Sequence, residues 1–211
     1  MAIDKLLIYN GALQVCKASR LRRLDENRPS RYELDHAWQT DVIKTCLEEG
    51  NWQFASRTVK MEYDNTIDMK FGYDYAFKKP DDWCRTIILS ASEKLDYPMR
   101  DYKDQGDFIY ADIDTIYLEY VSHGTDYGRN YELWPQHFLK YVMAELGNDV
   151  VGRISDAGAT EQKVMTVRDK RKSEAISNDA LNRPTKQFPT GSWTNSRVGY
   201  YNRRGQYRGQ P

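Results

Sequence analysis

The sequence predicts a mainly α protein: a helical bundle body, a small antiparallel β insertion and an extended C-terminal arm. Three observations predict it. Apolar residues recur at three- and four-residue steps in the first 50 residues and again after residue 134. Strand-like alternation is confined to the middle of the chain, and no periodic pattern of either kind follows residue 182.

Residues 4–17 read as the first helix, with Leu6, Leu7, Tyr9, Ala12, Leu13 and Cys16 along one apolar stripe. A polar link over 20–29 follows. The second helix is the most sharply marked element. Ser30 and Glu33 are spaced as a capping box, in which each side chain satisfies a backbone N–H of the first turn. Leu34, Trp38, Val42 and Cys46 then form one i, i+4 ladder, which makes Cys46 a core thiol, and Gly50-Asn51 stops the helix. Trp52 and Phe54 come next and are expected to fold back onto the helical layer.

The period then changes. Residues 57–62 alternate as a strand, 64–82 read as a loop ending in Pro80-Asp81-Asp82-Trp83, and 86–89 read as a buried strand. Residues 92–107 read as a second, polar loop. Residues 108–110 and 115–121 are expected to pair as a hairpin through 111–114. Helical spacing returns at Trp134-Pro135, with Trp134, Phe138, Tyr141, Val142 and Leu146 on one face. A last helix over about 160–181 has so thin an apolar stripe (Val164, Val167, Ile176) that it needs another subunit or is marginal alone. The division expected is therefore a helical body over 1–55 and 130–181, a β insertion over 56–129 and an arm over 182–211.

Composition narrows the chemistry. Hydrophobic residues are 40% and charged residues 29%, a polar balance that sixteen Tyr and five Trp offset only in part. Mean hydropathy is −0.81, and no apolar run approaches the roughly 18 residues of a membrane span. Cys16, Cys46 and Cys84 are scattered and odd in number, and His36, His123 and His137 lack ligand spacing, so neither a disulfide framework nor a metal site is expected. The opening Met1-Ala2-Ile3-Asp4-Lys5 lacks the basic-then-apolar layout of a secretion signal, which points to a cytosolic protein.

The chain contains no G-x-G-x-x-G, no phosphate-binding loop with its lysine, no G-x-S-x-G and no H-E-x-x-H, so no cofactor and no catalysis is expected. Asp81-Asp82 is read as a pair of turn acids, because neighbours in extended chain point apart. His36 falls on the polar side of its helix and His123 in a loop.

Net charge is zero, but it is unevenly spread. After Asp179 there is no acidic residue, while Arg183, Lys186, Arg197, Arg203, Arg204 and Arg208 are basic. Residues 1–179 hold 25 Lys/Arg against 31 Asp/Glu. A basic end beside an acidic body is the pattern of an interaction arm. The run Tyr200-Tyr201-Asn202-Arg203-Arg204-Gly205-Gln206-Tyr207-Arg208 interleaves Arg, Gly and aromatics, which suits protein docking or single-stranded nucleic acid, or remains a solvated tail.

The order of elements and several local sequences resemble the phage head-to-tail adaptors of the tail tubular protein A family. These are Ile8-Tyr9-Asn10-Gly11-Ala12-Leu13, Gly50-Asn51-Trp52-Gln53-Phe54-Ala55, Pro80-Asp81-Asp82-Trp83-Cys84-Arg85, Asp114-Thr115-Ile116-Tyr117-Leu118-Glu119-Tyr120-Val121, Leu133-Trp134-Pro135-Gln136-His137-Phe138 and Ser192-Trp193-Thr194-Asn195-Ser196-Arg197. They span about residues 4–198.

The resemblance implies a helical body with a small β insertion, assembled as a dodecameric ring under the portal. Such a ring extends the DNA channel and is the platform for the tail nozzle. In that family the C-terminal segment embraces the portal, and residues 199–211 extend past its usual end. The reading built on the resemblance places a portal-binding arm over 184–211, with Trp193 as anchor and Arg197, Tyr200, Tyr201, Arg203, Arg204, Tyr207 and Arg208 as contacts, and a tail-facing insertion presenting Tyr117 and Tyr120. The partners implied are further copies of the chain, the portal, the tail nozzle and genomic DNA passing without sequence-specific binding, with no membrane. The implied location is the virion, at the head–tail interface, after assembly in the host cytoplasm. Two other readings stand beside this one. The first is a nucleic-acid-binding protein acting through its basic aromatic tail. The second is a small hydrolase using His123 and a nearby acid, which requires a concave pocket around His123.

Overall fold

The structure, a computed structural model, describes residues 3–67, 72–155 and 158–182. Helix α1 (Lys5–Val15) starts at Asp4, whose carboxylate accepts the Leu7 N–H at 2.7 Å. Helices α2 (Pro29–Gln39) and α3 (Val42–Glu48) follow, then a 3₁₀ turn over Gln53–Ala55. Strands β1 (Ser56–Glu62), β2 (Tyr75–Lys78), β3 (Trp83–Ser90), β4 (Lys103–Gln105), β5 (Phe108–Ala111) and β6 (Thr115–Ser122) form the middle. A second 3₁₀ turn, Tyr131–Leu133, leads to α4 (Gln136–Ile154) and α5 (Gly158–Leu181).

Helix α4 is the spine, with α1, α2, α3 and α5 packed around it. This explains its unusually broad apolar surface: Phe138, Leu139, Tyr141, Val142, Leu146, Val150 and Val151 are all buried. The backbones of α1 and α4 come close at Gly147, where a Cβ would stand 3.2 Å from the Ala12 carbonyl, and the Cys16 thiol donates to the Gly147 carbonyl at 3.2 Å.

The chain is a mixed α/β protein, which corrects the mainly α bundle that the sequence predicts. Of the described residues 45% are helical and 20% strand, with two three-stranded antiparallel sheets. The difference arises in the stretches read as loops, which hold β2 and β4. These strands are four and three residues long, too short for a two-residue period to register. Both are completed by pairing with β5, a long-range contribution that local pattern does not carry.

The hairpin expected through 111–114 does not form either. Strand β5 lies between β2 and β4, whereas β6 lies between β1 and β3. The chain turns a corner there instead, and Asp112 accepts the Asp74 N–H at 3.1 Å beside it. The gain is burial: Phe77, Ile109 and Ala111 of one sheet close against Met61, Leu89, Ile116, Leu118 and Tyr120 of the other as a core of their own. The helices enclose a separate core, which the β3–β6 end enters through Cys84 and Val121.

The predicted second helix is two helices. Asp41 breaks it by taking a left-handed backbone (φ +61°), a conformation Asp tolerates better than most residues. Its carboxylate then caps α3 through the Lys44 N–H at 3.3 Å and pairs with Arg129. No capping box forms at the start. Pro29 takes the first helical position, and Glu33 pairs instead with Arg153 of α4 at 3.1 Å. Leu34, Val42 and Cys46 are buried and Trp38 is half-buried against Tyr9. Helix α5 packs on α4 of its own chain, burying Val164 and Ala175. Among the described residues, no helix is long and apolar enough to cross a membrane.

Candidate functional site: the joint between the two cores

The two cores meet at a turn, and the turn is polar. Pro80 and Trp83 close it, the Trp83 N–H donating to the Pro80 carbonyl at 3.0 Å. Of its two acids, Asp81 points to solvent and Asp82 points inward. The Asp82 carboxylate accepts from the Ser122 hydroxyl at 2.5 Å, the Tyr120 hydroxyl at 2.8 Å and the Arg57 guanidinium at 3.0 Å. Its carbonyl accepts the His123 N–H at 2.9 Å. One residue thus ties together β1, the entry to β3, and the end of β6.

The geometry follows from strand register. Tyr120 and Ser122 are two apart on β6 and share a face, and Arg57 of β1 lies opposite Tyr120. Burial pushes the Asp82 carboxyl upward, but the three hydrogen bonds and the Arg57 charge outweigh it and hold it below the usual carboxylate range. Tyr120 shifts the other way: burial and the bond to Asp82 raise its hydroxyl, so it stays protonated and keeps donating.

From Ser122 the contacts run on into the helices. The Ser122 carbonyl accepts the Gly128 N–H at 3.1 Å, and the Gly128 carbonyl accepts the Trp134 indole N–H at 2.8 Å. Gly128 has to be glycine, because a Cβ would sit 2.2 Å from the Ser122 carbonyl oxygen and 2.7 Å from Leu47. Trp134 packs edge-on against Phe138 with centroids 5.0 Å apart, and Phe138 meets Trp52 at 4.8 Å and Phe54 at 4.7 Å. The Trp52 indole donates to the Cys46 carbonyl at 2.9 Å. Two further ties flank this path: Arg129 to Asp41 at the α2–α3 break, and Arg85 to the Glu48 carbonyl at 3.1 Å.

Of the two tail-facing residues expected from the sequence, Tyr117 is half-buried on β6. Tyr120 is completely buried with its hydroxyl on Asp82, so its ring is not on offer to a partner. The structure brings Tyr120 to the joint, not to the surface. The arm residues Trp193, Arg197, Tyr200, Tyr201, Arg203, Arg204, Tyr207 and Arg208 lie outside the described residues.

A concave pocket does adjoin His123. It measures about 430 Å³ and is lined also by Lys44, Glu48, Lys78, Trp83, Cys84 and Asp107. The nearby hydroxyl, Ser122, is fully buried and donates to Asp82, not to an imidazole, so it is not arranged as a base-activated nucleophile. Burial also pushes the Cys84 thiol up to about 12, which leaves it protonated and unreactive at neutral pH. Lys79 is buried but satisfied, by Asp104 at 2.6 Å, the Gly106 carbonyl at 2.9 Å and the face of Trp83 at 3.9 Å. Among the described residues, no three His, Cys, Asp or Glu side chains are grouped to hold a metal ion.

Sequence reading identified Asp82 as a turn acid but missed Arg57 and Ser122. The signal available was the Tyr-x-Ser spacing that closes β6, which acquires meaning only when β1 is set beside it. Fold and site together define a two-core α/β protein in which a hydrogen-bonded turn at one sheet's end leads through Ser122, Gly128 and Trp134 into the helical core. No protein-family model matches the chain, and no curated protein matches it.

Proposed function

We propose that this chain is a structural head-to-tail connector subunit of a tailed phage, forming a ring that binds the portal and carries the tail nozzle. The observation that supports this reading is where the family-like motifs fall. Trp52 and Phe54, Pro80 to Trp83, Tyr120 and Trp134 are scattered in sequence, yet all take part in the one joint described above. A set of motifs that builds one joint is more specific than the same motifs taken singly. In this reading the helical core is the ring body, the β core faces the tail, and residues 184–211 are the portal-binding arm.

Charge supports the arm's role. The 56–129 segment holds 15 acidic residues against 10 basic ones, while nothing after Asp179 is acidic. A basic arm beside an acidic body is better matched to protein carboxylates than to free nucleic acid, and many copies acting together let each arm bind weakly.

The experiment is electron microscopy and co-purification of the full chain with the portal of the same phage, alongside a variant lacking 184–211. The expected result is a ring seated on the portal, lost in the truncated protein although its body still melts cooperatively. Undiminished portal capture by the truncated protein refutes the arm, and the absence of any ring or portal complex refutes the connector. Submicromolar oligonucleotide binding near physiological salt, abolished by deleting 198–211, would transfer the proposal to nucleic acid.

A further inference from the structure

Helix α5 (Gly158–Leu181) docks through a face that is only thinly apolar. The positions turned at least partly toward the body are Thr160, Val164, Arg168, Arg171, Lys172, Ala175, Asn178 and Asp179, and of these only Val164 and Ala175 are apolar. The larger apolar side chains face outward: Met165 is 57% exposed, Ile176 39% and Leu181 82%. A surface helix held by apolar burial carries the opposite arrangement.

Charge does the holding. Arg168 grips the buried Glu145 of α4 with two nitrogens, at 2.6 and 3.3 Å. Arg168 also approaches Glu49, which caps α3, at 3.5 Å, and Lys172 reaches the same carboxylate at 2.8 Å. Glu49 in turn accepts the Tyr141 hydroxyl of α4. Toward the C-terminal end, Arg171 donates to the Lys140 carbonyl at 3.2 Å and Asp179 accepts the Gln53 N–H at 2.9 Å. All these contacts run from α5, or from the carboxylates that bind it, to other elements of the same chain.

We propose that α5 is a charge-held latch, docked by Arg168 and Lys172 against Glu49 and Glu145, which opens with ionic strength while the rest of the helical body stays folded. Ion pairs that water reaches are screened by salt, whereas apolar burial is not. Three of the four side chains concerned are within reach of ions, at 22% exposure for Arg168, 24% for Glu49 and 29% for Lys172, whereas Glu145 at 7% is screened far less. Helix α1 offers the contrast, with Ile8, Tyr9, Ala12 and Leu13 fully buried on the body. Opening would free a rod of about 36 Å, taking 24 residues at about 1.5 Å each. Because residues 183–211 follow directly, the latch sets where that basic segment begins. The proposal stands on α5 alone and is independent of the connector reading.

Amide hydrogen exchange of the full chain at 50 mM and 1 M KCl tests it. The expected result is exchange over 160–181 that is at least about tenfold faster in high salt, with α4 amides changing less than about twofold. Arg168→Met leaves Glu145 buried without its counter-charge and is expected to give the fast exchange already at low salt. The double variant Glu145→Leu with Arg168→Met removes both charges and keeps bulk, and is expected to retain a docked α5 that no longer responds to salt. Salt-independent exchange of α5 in the wild type, or α5 and α4 exchanging as one unit under every condition, overturns the latch. The wild-type salt series decides the matter even where a variant fails to fold.

Discussion

Replacing Asp82 with alanine is the most direct test of the joint. The carboxylate accepts hydrogen bonds from Ser122 at 2.5 Å, Tyr120 at 2.8 Å and Arg57 at 3.0 Å. Ser122 and Tyr120 are both fully buried, so the substitution strands two donors away from water. Each stranded group costs about 1–3 kcal/mol. The Arg57 side chain is 38% exposed and can turn to solvent, so its lost pairing adds less than about 1 kcal/mol. The expected loss is therefore about 2–7 kcal/mol, a large share of the roughly 5–15 kcal/mol by which a domain is stable.

Urea titration followed by tryptophan fluorescence and far-ultraviolet circular dichroism measures it, with the slope checked for constancy. Tyr120→Phe completes a double-mutant cycle. Alone it should cost about 1 kcal/mol, and in the Asp82→Ala background it should recover about 1–3 kcal/mol, since the hydroxyl it removes is the one already stranded. A loss below about 1 kcal/mol for Asp82→Ala, or strict additivity in the cycle, would refute the reasoning. The pH profile gives a second reading. The Asp82 carboxyl is held below its ordinary value, so its contribution is complete above the unfolded value of about 4 and disappears as pH falls through the folded one. The wild type should lose stability in acid along a steeper limb than Asp82→Ala.

Further expectations come from the surrounding contacts. Gly128→Ala should cost about 3 kcal/mol or more, because the new Cβ meets a backbone oxygen at 2.2 Å that cannot move without breaking the path to Trp134; a wild-type melting temperature would contradict it. Trp52→Ala should cost about 3–5 kcal/mol and Trp38→Ala about 2 kcal/mol, as Trp52 is buried within the aromatic cluster while Trp38 is half-buried beside Tyr9; equal losses in urea titration would count against that placement. Asp149, on the exposed rim of α4, is pushed up to about 6 by partial burial and the neighbouring Glu145 carboxylate. A folded value above the unfolded one penalises folding at neutral pH, and the penalty fades as pH falls from about 6 toward the unfolded value of about 4, so Asp149→Asn should raise the melting point at pH 7.5 and do so progressively less toward pH 4. Water at the rim keeps this gain below about 1 kcal/mol.

Elements with a long period were legible in the sequence. The α1 stripe, the Trp134–Leu146 face and the β6 alternation each repeat often enough to show through, and each is present. What stayed hidden depends on partners distant in sequence. Strands β2 and β4 exist because β5 lies between them. Asp41 interrupts a helix whose apolar ladder runs on without a break, and it does so in company with Arg129, 88 residues away. The capping box at Ser30 and Glu33 was a sound local inference that lost to Pro29 and to an ion pair with Arg153, 120 residues on. At the joint, a turn acid was visible, but its three donors come from two strands that meet only in three dimensions.

The polar character of the joint bears on what such a subunit can do. An apolar contact between two cores is non-directional and tolerates small rotations at little cost. The bonds from Ser122 through Gly128 to Trp134 and from Arg85 to the Glu48 carbonyl are directional, and a tilt of one core would strain them together, while Asp82 holds the sheet end from which they start. The chain therefore fixes the angle between its helical and β cores more stiffly than a greasy interface of the same size would. On the connector reading this is the property required, because a ring body and a tail-facing module must hold one mutual orientation in every copy for two partners of different shape to meet. Helix α5 shows the opposite choice within the same molecule: its screened charges permit movement where the joint forbids it. Stiffness is thus placed between the two cores, and freedom is placed at the element that leads into the basic C-terminal segment.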